Sequence, residues 1–217
     1  MRPSPSLLLV PLAVALFAAC EGPPAADPSK VAPLPAVGPN ELRSPRVFAA
    51  IGDRGERSRA LFLEAARVML HPRCKNCHPA GDSPAQGDLG LTHDPPVQRG
   101  PDDHGLPGLE CTSCHQDRNL ELARVPGAEK WSLAPRVMAW VDRTPHAICE
   151  QVKDRARNGG KTLAEIVEHS AHDPLVAWGW APGHGRAPAP GSQAQFAELM
   201  AAWAESGAEC PREEARR

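Results

Sequence analysis

Two short stretches of the sequence carry the residues best suited to chemistry. Residues 74–78 (Cys-Lys-Asn-Cys-His) and 111–115 (Cys-Thr-Ser-Cys-His) each place two thiols three positions apart, with an imidazole directly behind them. This spacing attaches a c-type haem, because the thiols add to the two vinyl groups of the porphyrin and the histidine binds the iron. We therefore predict two covalent haems. The thioether links are Cys74, Cys77, Cys111 and Cys114, and the proximal iron ligands are His78 and His115.

The same cysteines allow two other interpretations. Two Cys-x-x-Cys pairs can supply four thiolates to one structural zinc ion, or act as dithiol redox pairs. A histidine follows each pair directly. Because the whole chain has only 9 histidines in 217 residues, finding one after both pairs would be a rare coincidence. The N-terminus also resembles an export signal, which would remove the chain from the reducing compartment where most such zinc sites assemble. Both observations favour haem.

The ligand on the opposite side of each iron must come from another segment. The first choices are His93, in the loop between the motifs, and His172, at the end of a predicted helix. The alternatives are His169 one turn earlier, the thioether of Met138, and His71, which could reach only the other haem. Each also has an ordinary structural interpretation, as a solvated loop histidine, a helix-terminal cation or a core methionine. The choice matters because a methionine ligand raises the haem potential relative to a second histidine.

The first 20 residues have the pattern of an export signal, with Arg2, an apolar run over residues 7–19 and small residues before Cys20. Residues 16–20 resemble a bacterial lipobox, and this resemblance implies that Cys20 is lipidated and anchors the protein to a membrane. Glu21 in the next position favours the outer membrane over the inner one. A signal cut at another small residue, or an uncleaved anchor, are the alternatives.

Composition divides the rest of the chain. A Pro/Ala-rich tether is predicted over residues 21–55, a dihaem domain over 56–211 and a charged tail over 212–217. The chain has no Tyr, four Phe, five Trp and 25 Pro, so haem would supply part of its core. The net charge of −2 with dispersed Lys and Arg argues against nucleic-acid binding. We expect a mainly α fold, with short helices and long loops wrapped around two covalently bound c-type haems.

Helix signals support this class. They predict helices over residues 57–70, from Thr144 towards Gly159, from the Thr162 capping box, and from Ser192 to Gly207. The Gly- and Pro-rich residues 79–108 predict a long loop, and no segment alternates like a strand. Cys149 and Cys210 remain as an even pair, which predicts a disulfide in an exported chain.

Several segments beside the haem motifs carry a family resemblance. They are residues 71–74, the loop over 95–101, and residues 168–174 followed by Trp-Gly-Trp at 178–180. Together they resemble a group of bacterial dihaem cytochrome c proteins, some of which are labelled as subunits of isoquinoline 1-oxidoreductase-type molybdenum hydroxylases. The resemblance covers residues 61–211. It implies two haem c groups and a role as electron acceptor for such an enzyme, since the chain has nothing that would bind molybdopterin or flavin.

The expected function is therefore periplasmic electron transfer, from a dehydrogenase or quinol-linked donor protein to a downstream acceptor. One alternative is a dihaem peroxidase-like enzyme with one open haem iron. Another is a haem-stabilised interaction module at the cell surface. No hydrolase motif or phosphate-binding glycine loop competes with these hypotheses.

Overall fold

The computed structural model describes residues 33–183 and 185–213. The predicted signal peptide, Cys20, the first part of the tether and the last four residues of the tail lie outside the described residues. None of the helices in the described ranges is long and apolar enough to cross a membrane.

Short helices joined by long loops make up the described chain. The helices are α1 (Arg54–Met69), α2 (Pro72–Lys75), α3 (Pro145–Lys153), α4 (Leu163–His172), α5 (Pro174–Ala177) and α6 (Gln193–Glu205). Turns of 3-10 helix cover Pro45–Ala50, Cys111–Ser113, Arg136–Met138 and Trp178–Trp180. The predicted mainly α class with long loops is confirmed at this level.

Three small antiparallel hairpins, each of two strands, interrupt the loops. They pair β1 (Ala85–Gln86) with β2 (Leu91–Thr92), β3 (Gly105–Leu106) with β4 (Leu109–Glu110), and β5 (Arg118–Leu120) with β6 (Val125–Ala128). No alternation in the sequence predicted them, because a strand of two to four residues is too short to show a periodic pattern.

Capping side chains fix where the helices begin. Thr162 and Glu165 form the predicted reciprocal capping box at α4, and the Thr144 and Ser192 side chains cap α3 and α6. Asp53 caps α1 by accepting from the Glu56 amide at 2.7 Å, so α1 begins three residues earlier than predicted. In contrast, α3 ends at Lys153 and not near Gly159, because the backbone at Asp154 is already extended.

The helical core lies where α6 packs against α1 and α4. Phe62 of α1 meets Trp203 of α6 with ring centres 5.0 Å apart, and Leu199 beside them is fully buried. Burying a side chain of this size contributes about 2 kcal/mol. Ile148 of α3 is also fully buried in this cluster. The residues at the centre of this core lie outside both Cys-x-x-Cys-His motifs.

The end of the predicted tether belongs to this core. Phe48 is 1% exposed, and Leu42 and Ile51 are buried with it. The carboxylate of Glu64, buried in α1, accepts from the Arg43 backbone amide at 3.0 Å and from its guanidinium at 2.6 Å. The predicted tether boundary at residue 55 is therefore wrong, because a few apolar residues among prolines are enough to fix this segment to α1.

The long loop over residues 79–108 is organised by the buried side chain of Arg99. Its guanidinium donates to the carbonyls of Ala134 at 2.7 Å and Gly81 at 3.2 Å, and it pairs with Asp103. Gly100, next to it, has φ of +69°, and a Cβ there would lie 1.9 Å from the Gly105 carbonyl oxygen. The loop thus has a defined path although its only regular elements are the short strands β1, β2 and β3.

Cys149 and Cys210 are joined by a disulfide, with Cα atoms 5.6 Å apart. Cys149 lies in α3, and Cys210 follows α6. The bond therefore ties the end of the chain to the helical core across 61 residues.

Replacing both cysteines with alanine should lower the free energy of unfolding by about 4 kcal/mol, because the unfolded chain loses a closed loop of this length. Denaturant unfolding of the Cys149→Ala/Cys210→Ala variant measures the change. An unchanged unfolding midpoint would contradict the disulfide's stabilising role.

Candidate functional site

The first motif lines a cavity of about 520 Å³. Cys74 lies in α2, and the Cys77 and His78 amides close the following turn onto the Cys74 carbonyl. All three side chains border the cavity, whose other walls come from α1, α4, α6 and residues 132–140. The volume falls within the range of cofactor pockets, and most of the lining is apolar.

His78 is held in one orientation. Its Nδ1 lies 2.7 Å from the Met138 carbonyl oxygen, and its ring stacks on Trp140 at 3.5 Å and 7°. A carbonyl can only accept, so Nδ1 carries the proton and Nε2 keeps its lone pair. Burial is the main cause that lowers the pKa of His78 to about 4; nearby His169 acts in the same direction, and the Met138 hydrogen bond opposes the shift. The side chain is therefore a neutral imidazole, the form that binds a metal ion.

His169 of α4 lines the same cavity as His78. Its Nδ1 lies 3.2 Å from Asp173 Oδ2, so this histidine too has its Nε2 available. His172 does not line the cavity; its side chain is 70% exposed and pairs with Glu168 at 2.9 Å. The packing of α4 thus places His169, the alternative, at the cavity with 42% of its side chain exposed, and places His172, the first choice, outside the cavity.

The second motif repeats the arrangement of the first. His115 Nδ1 lies 2.7 Å from the Pro126 carbonyl oxygen, and the ring stacks on Trp131 at 4.5 Å and 12°. Burial again lowers the pKa of His115. Both motif histidines thus have the same pair of supports, a backbone carbonyl at Nδ1 and an indole against the ring.

His93 faces His115. The two ring centres are 5.9 Å apart, and His93 Nδ1 lies 2.8 Å from the Pro95 carbonyl oxygen. Two imidazoles on opposite sides of one metal ion, each with its nitrogen about 2 Å from the metal, have ring centres about 6 Å apart. The structure therefore brings the first-choice distal residue beside the motif histidine that it would complement.

The other predicted distal ligands have structural roles. Met138 is 7% exposed and borders the cavity, and its carbonyl oxygen orients His78. The ring nitrogen of His71 accepts from the Arg73 amide at the start of α2, and His71 does not line the cavity. The contact at His71 engages its ring nitrogen, whereas the contact at Met138 engages only the backbone carbonyl and does not involve the thioether.

The two sites are neighbours. Trp178 borders the first cavity, and its ring meets the edge of Trp131, which stacks on His115, with centres 4.9 Å apart. Cys111 of the second motif packs with these two indoles and raises the pKa of Cys77 in the first. An aromatic contact therefore joins the surroundings of the two motifs.

The two thiols of the first motif are unsuited to thiolate chemistry as they stand. Burial raises the pKa of Cys74 to about 12 and that of Cys77 to about 11, so both remain protonated. Within residues 33–183 and 185–213, no three His, Cys, Asp or Glu side chains form a group that could hold a metal ion. The four thiols do not converge as the zinc hypothesis requires.

Two buried donors at the cavity have no hydrogen-bond partner among the described residues. They are the Nε of Arg73, whose side chain is 1% exposed, and the indole Nε1 of Trp140. Leaving such a group unpaired costs about 1–3 kcal/mol. An acceptor group bound in the cavity would recover this energy.

Asn119 supports the second site and was missed in the sequence. Its side-chain oxygen accepts from the Trp178 indole and the Gly127 amide, both at 3.0 Å, and its nitrogen donates to the Ala181 carbonyl at 2.9 Å. A single asparagine beside a haem motif gives no signal of this kind, because its partners lie up to 62 residues away.

Comparisons of the chain with protein-family models, with curated proteins and with solved structures find no match. The arrangement of the residues themselves therefore carries the functional argument.

Replacing Asn119 with alanine should destabilise the protein by about 3 kcal/mol, since three hydrogen bonds are lost and each is worth about 1 kcal/mol. Thermal or denaturant unfolding measures the effect. Gln116→Ala is the matched control, because that exposed side chain donates to the local Thr112 carbonyl. Equal effects of the two variants would show that the Asn119 hydrogen bonds contribute nothing.

Proposed function

We propose that the protein is an electron carrier with two covalent c-type haems, each iron held between two histidines. The observations that carry the proposal are that His169 lines the same cavity as His78 and that the ring of His93 lies beside that of His115. All four histidines have Nδ1 engaged by an oxygen, which leaves Nε2 for iron.

The residues present fit the group that the motifs imply. Cys74 and Cys77 would hold the first haem, and Cys111 and Cys114 the second, by thioether bonds. The largely apolar walls of the first cavity suit a porphyrin face. The unpartnered Arg73 and Trp140 donors supply what its carboxylate groups require.

The bound haem would supply reversible one-electron chemistry at iron. His78 and His169 would hold the first iron and His115 and His93 the second, and Trp140 and Trp131 hold the motif rings in place. Two histidines per iron leave no position for a small oxidant, so the arrangement supports electron transfer over peroxide reduction. The aromatic contact through Trp178 supports electron exchange between the two centres.

The cellular setting is part of the proposal. The export-signal pattern and the lipobox-like residues before Cys20 support a periplasmic protein anchored by lipid, with the outer membrane favoured over the inner. Its partners would be a donor protein, such as a dehydrogenase or quinol-linked enzyme, and an acceptor protein downstream. The resemblance to dihaem cytochromes supports the same assignment.

The test begins with the wild-type protein expressed with the c-type haem attachment machinery. We expect two covalent haems by mass and by pyridine haemochrome absorbance, two low-spin centres by electron paramagnetic resonance, and no stoichiometric carbon monoxide binding by the reduced protein. Absence of covalent haem would overturn the proposal. Stoichiometric binding of carbon monoxide by the wild type would favour the peroxidase-like alternative.

Single histidine variants locate the ligands. His169→Ala and His93→Ala should each convert one low-spin centre to high spin and open one carbon monoxide site per protein. His172→Ala is the matched control on the same helix and should change neither signal, because that side chain is in solvent. The assignment would be contradicted if His172→Ala changed the spin state and opened a carbon monoxide site while His169→Ala changed neither.

A further inference from the structure

The four histidines of the proposed function differ in what their Nδ1 contacts. His78, His115 and His93 contact backbone carbonyls at 2.7, 2.7 and 2.8 Å. His169 instead contacts the carboxylate of Asp173 at 3.2 Å. A carbonyl is a dipole, whereas a carboxylate carries a full negative charge, so the first site has an electrostatic feature that the second site lacks.

Asp173 is held in place by its own backbone contacts. Its Oδ1 accepts from the amides of Leu175 at 2.9 Å and Val176 at 3.2 Å, as the N-cap of α5. Its carbonyl accepts from Gln193 of α6 at 3.3 Å. These contacts leave Oδ2 directed at His169, and the side chain is only 26% exposed. The carboxylate is therefore a fixed part of the site.

A second pair on the same helix is more exposed than His169 and Asp173, whose side chains are 42% and 26% exposed. Glu168 and His172 have the same four-residue spacing, with 2.9 Å between the carboxylate and Nδ1, but the two side chains are 72% and 70% exposed. Such surface pairs have little energetic effect, because water screens them and the side chains are mobile. Only the His169–Asp173 pair borders the cavity.

We propose that Asp173 is a positioning residue that lowers the reduction potential of the first iron through His169. This inference rests on the proposed function. The Asp173 carboxylate accepts a hydrogen bond from the Nδ1–H group of His169, which makes the imidazole more electron-rich. Its negative charge also stabilises the ferric state, which carries one more positive charge than the ferrous state. Burial in an apolar cavity favours the ferrous state, so Asp173 offsets part of the effect of burial on this site.

The electron balance is simple. Reduction would add one electron from the donor protein to the ferric iron of the first site and no proton to His169 or Asp173. Oxidation would pass that electron to the second iron or to the acceptor protein. Asp173 therefore shifts an equilibrium and transfers nothing itself.

Asp173→Asn tests the inference in the holoprotein. Asparagine caps a helix as well as aspartate, so α5 should be retained while the charge is removed. We expect the equilibrium constant for reduction of the first iron to rise about tenfold, which is 59 mV for one electron. Optical redox titration measures both potentials, and the His93→Ala variant identifies which one belongs to the second iron.

Two control variants separate the effect of the Asp173 charge on the potential from its effect on the position of His169. Glu168→Gln removes a carboxylate from the surface pair and should leave both potentials unchanged. Asp173→Glu keeps the charge and should recover most of the shift. The low-spin signal of the first centre in Asp173→Asn should remain, with altered g values that report a less electron-rich imidazole.

Three results would overturn the inference. Two unchanged potentials with both low-spin centres intact would show that Asp173 has no effect, and the proposed function would still stand. An equal shift from Glu168→Gln would reduce the effect to general surface charge. Loss of the low-spin signal in Asp173→Asn would show that Asp173 only holds His169 in place. Absence of haem from the wild type would instead overturn the proposed function itself.

Discussion

The hydrogen bond from each motif histidine to a backbone carbonyl is the interaction on which the candidate sites depend. It fixes the ring and its tautomer, and so decides where Nε2 points. For His78 the carbonyl belongs to Met138, 60 residues further on. The chain between them must therefore come back to the motif. The Arg99 guanidinium stabilises this path by donating a hydrogen bond to the Ala134 carbonyl. For His115 the partner is Pro126, delivered by a single hairpin turn.

The helical core supplies part of the first candidate site, because residues of α1, α4 and α6 also line the cavity. Phe62, Leu199 and Trp203 bury one another between α1 and α6, and the disulfide fixes the end of the chain to α3. The motifs lie at the edge of this core, beside a separate cluster containing Trp131 and Trp178. A stable helical platform can thus carry a cavity with unpartnered donors, whose cost is of the order of a few kcal/mol.

Local signals in the sequence predicted local structure well. Thr144, the Thr162–Glu165 box and Ser192 begin helices as expected, because a cap acts within one turn of its own residue. The same approach failed for residues 42–51, where Phe48 is buried among prolines. Composition predicts average behaviour, and it cannot show that one aromatic side chain finds a place against a helix far along the chain.

The sequence by itself contains the two Cys-x-x-Cys-His motifs, and their spacing alone predicted haem attachment with His78 and His115 as proximal ligands. It also supplied His93 and the even pair of Cys149 and Cys210. Only the tertiary structure showed that His169 lines the cavity and that His172 does not. Three residues along a helix turn through about 300°, so both side chains lie near one face, and the packing of α4 determines which one meets the cavity. It likewise placed a carboxylate behind His169 and carbonyls behind the other three histidines.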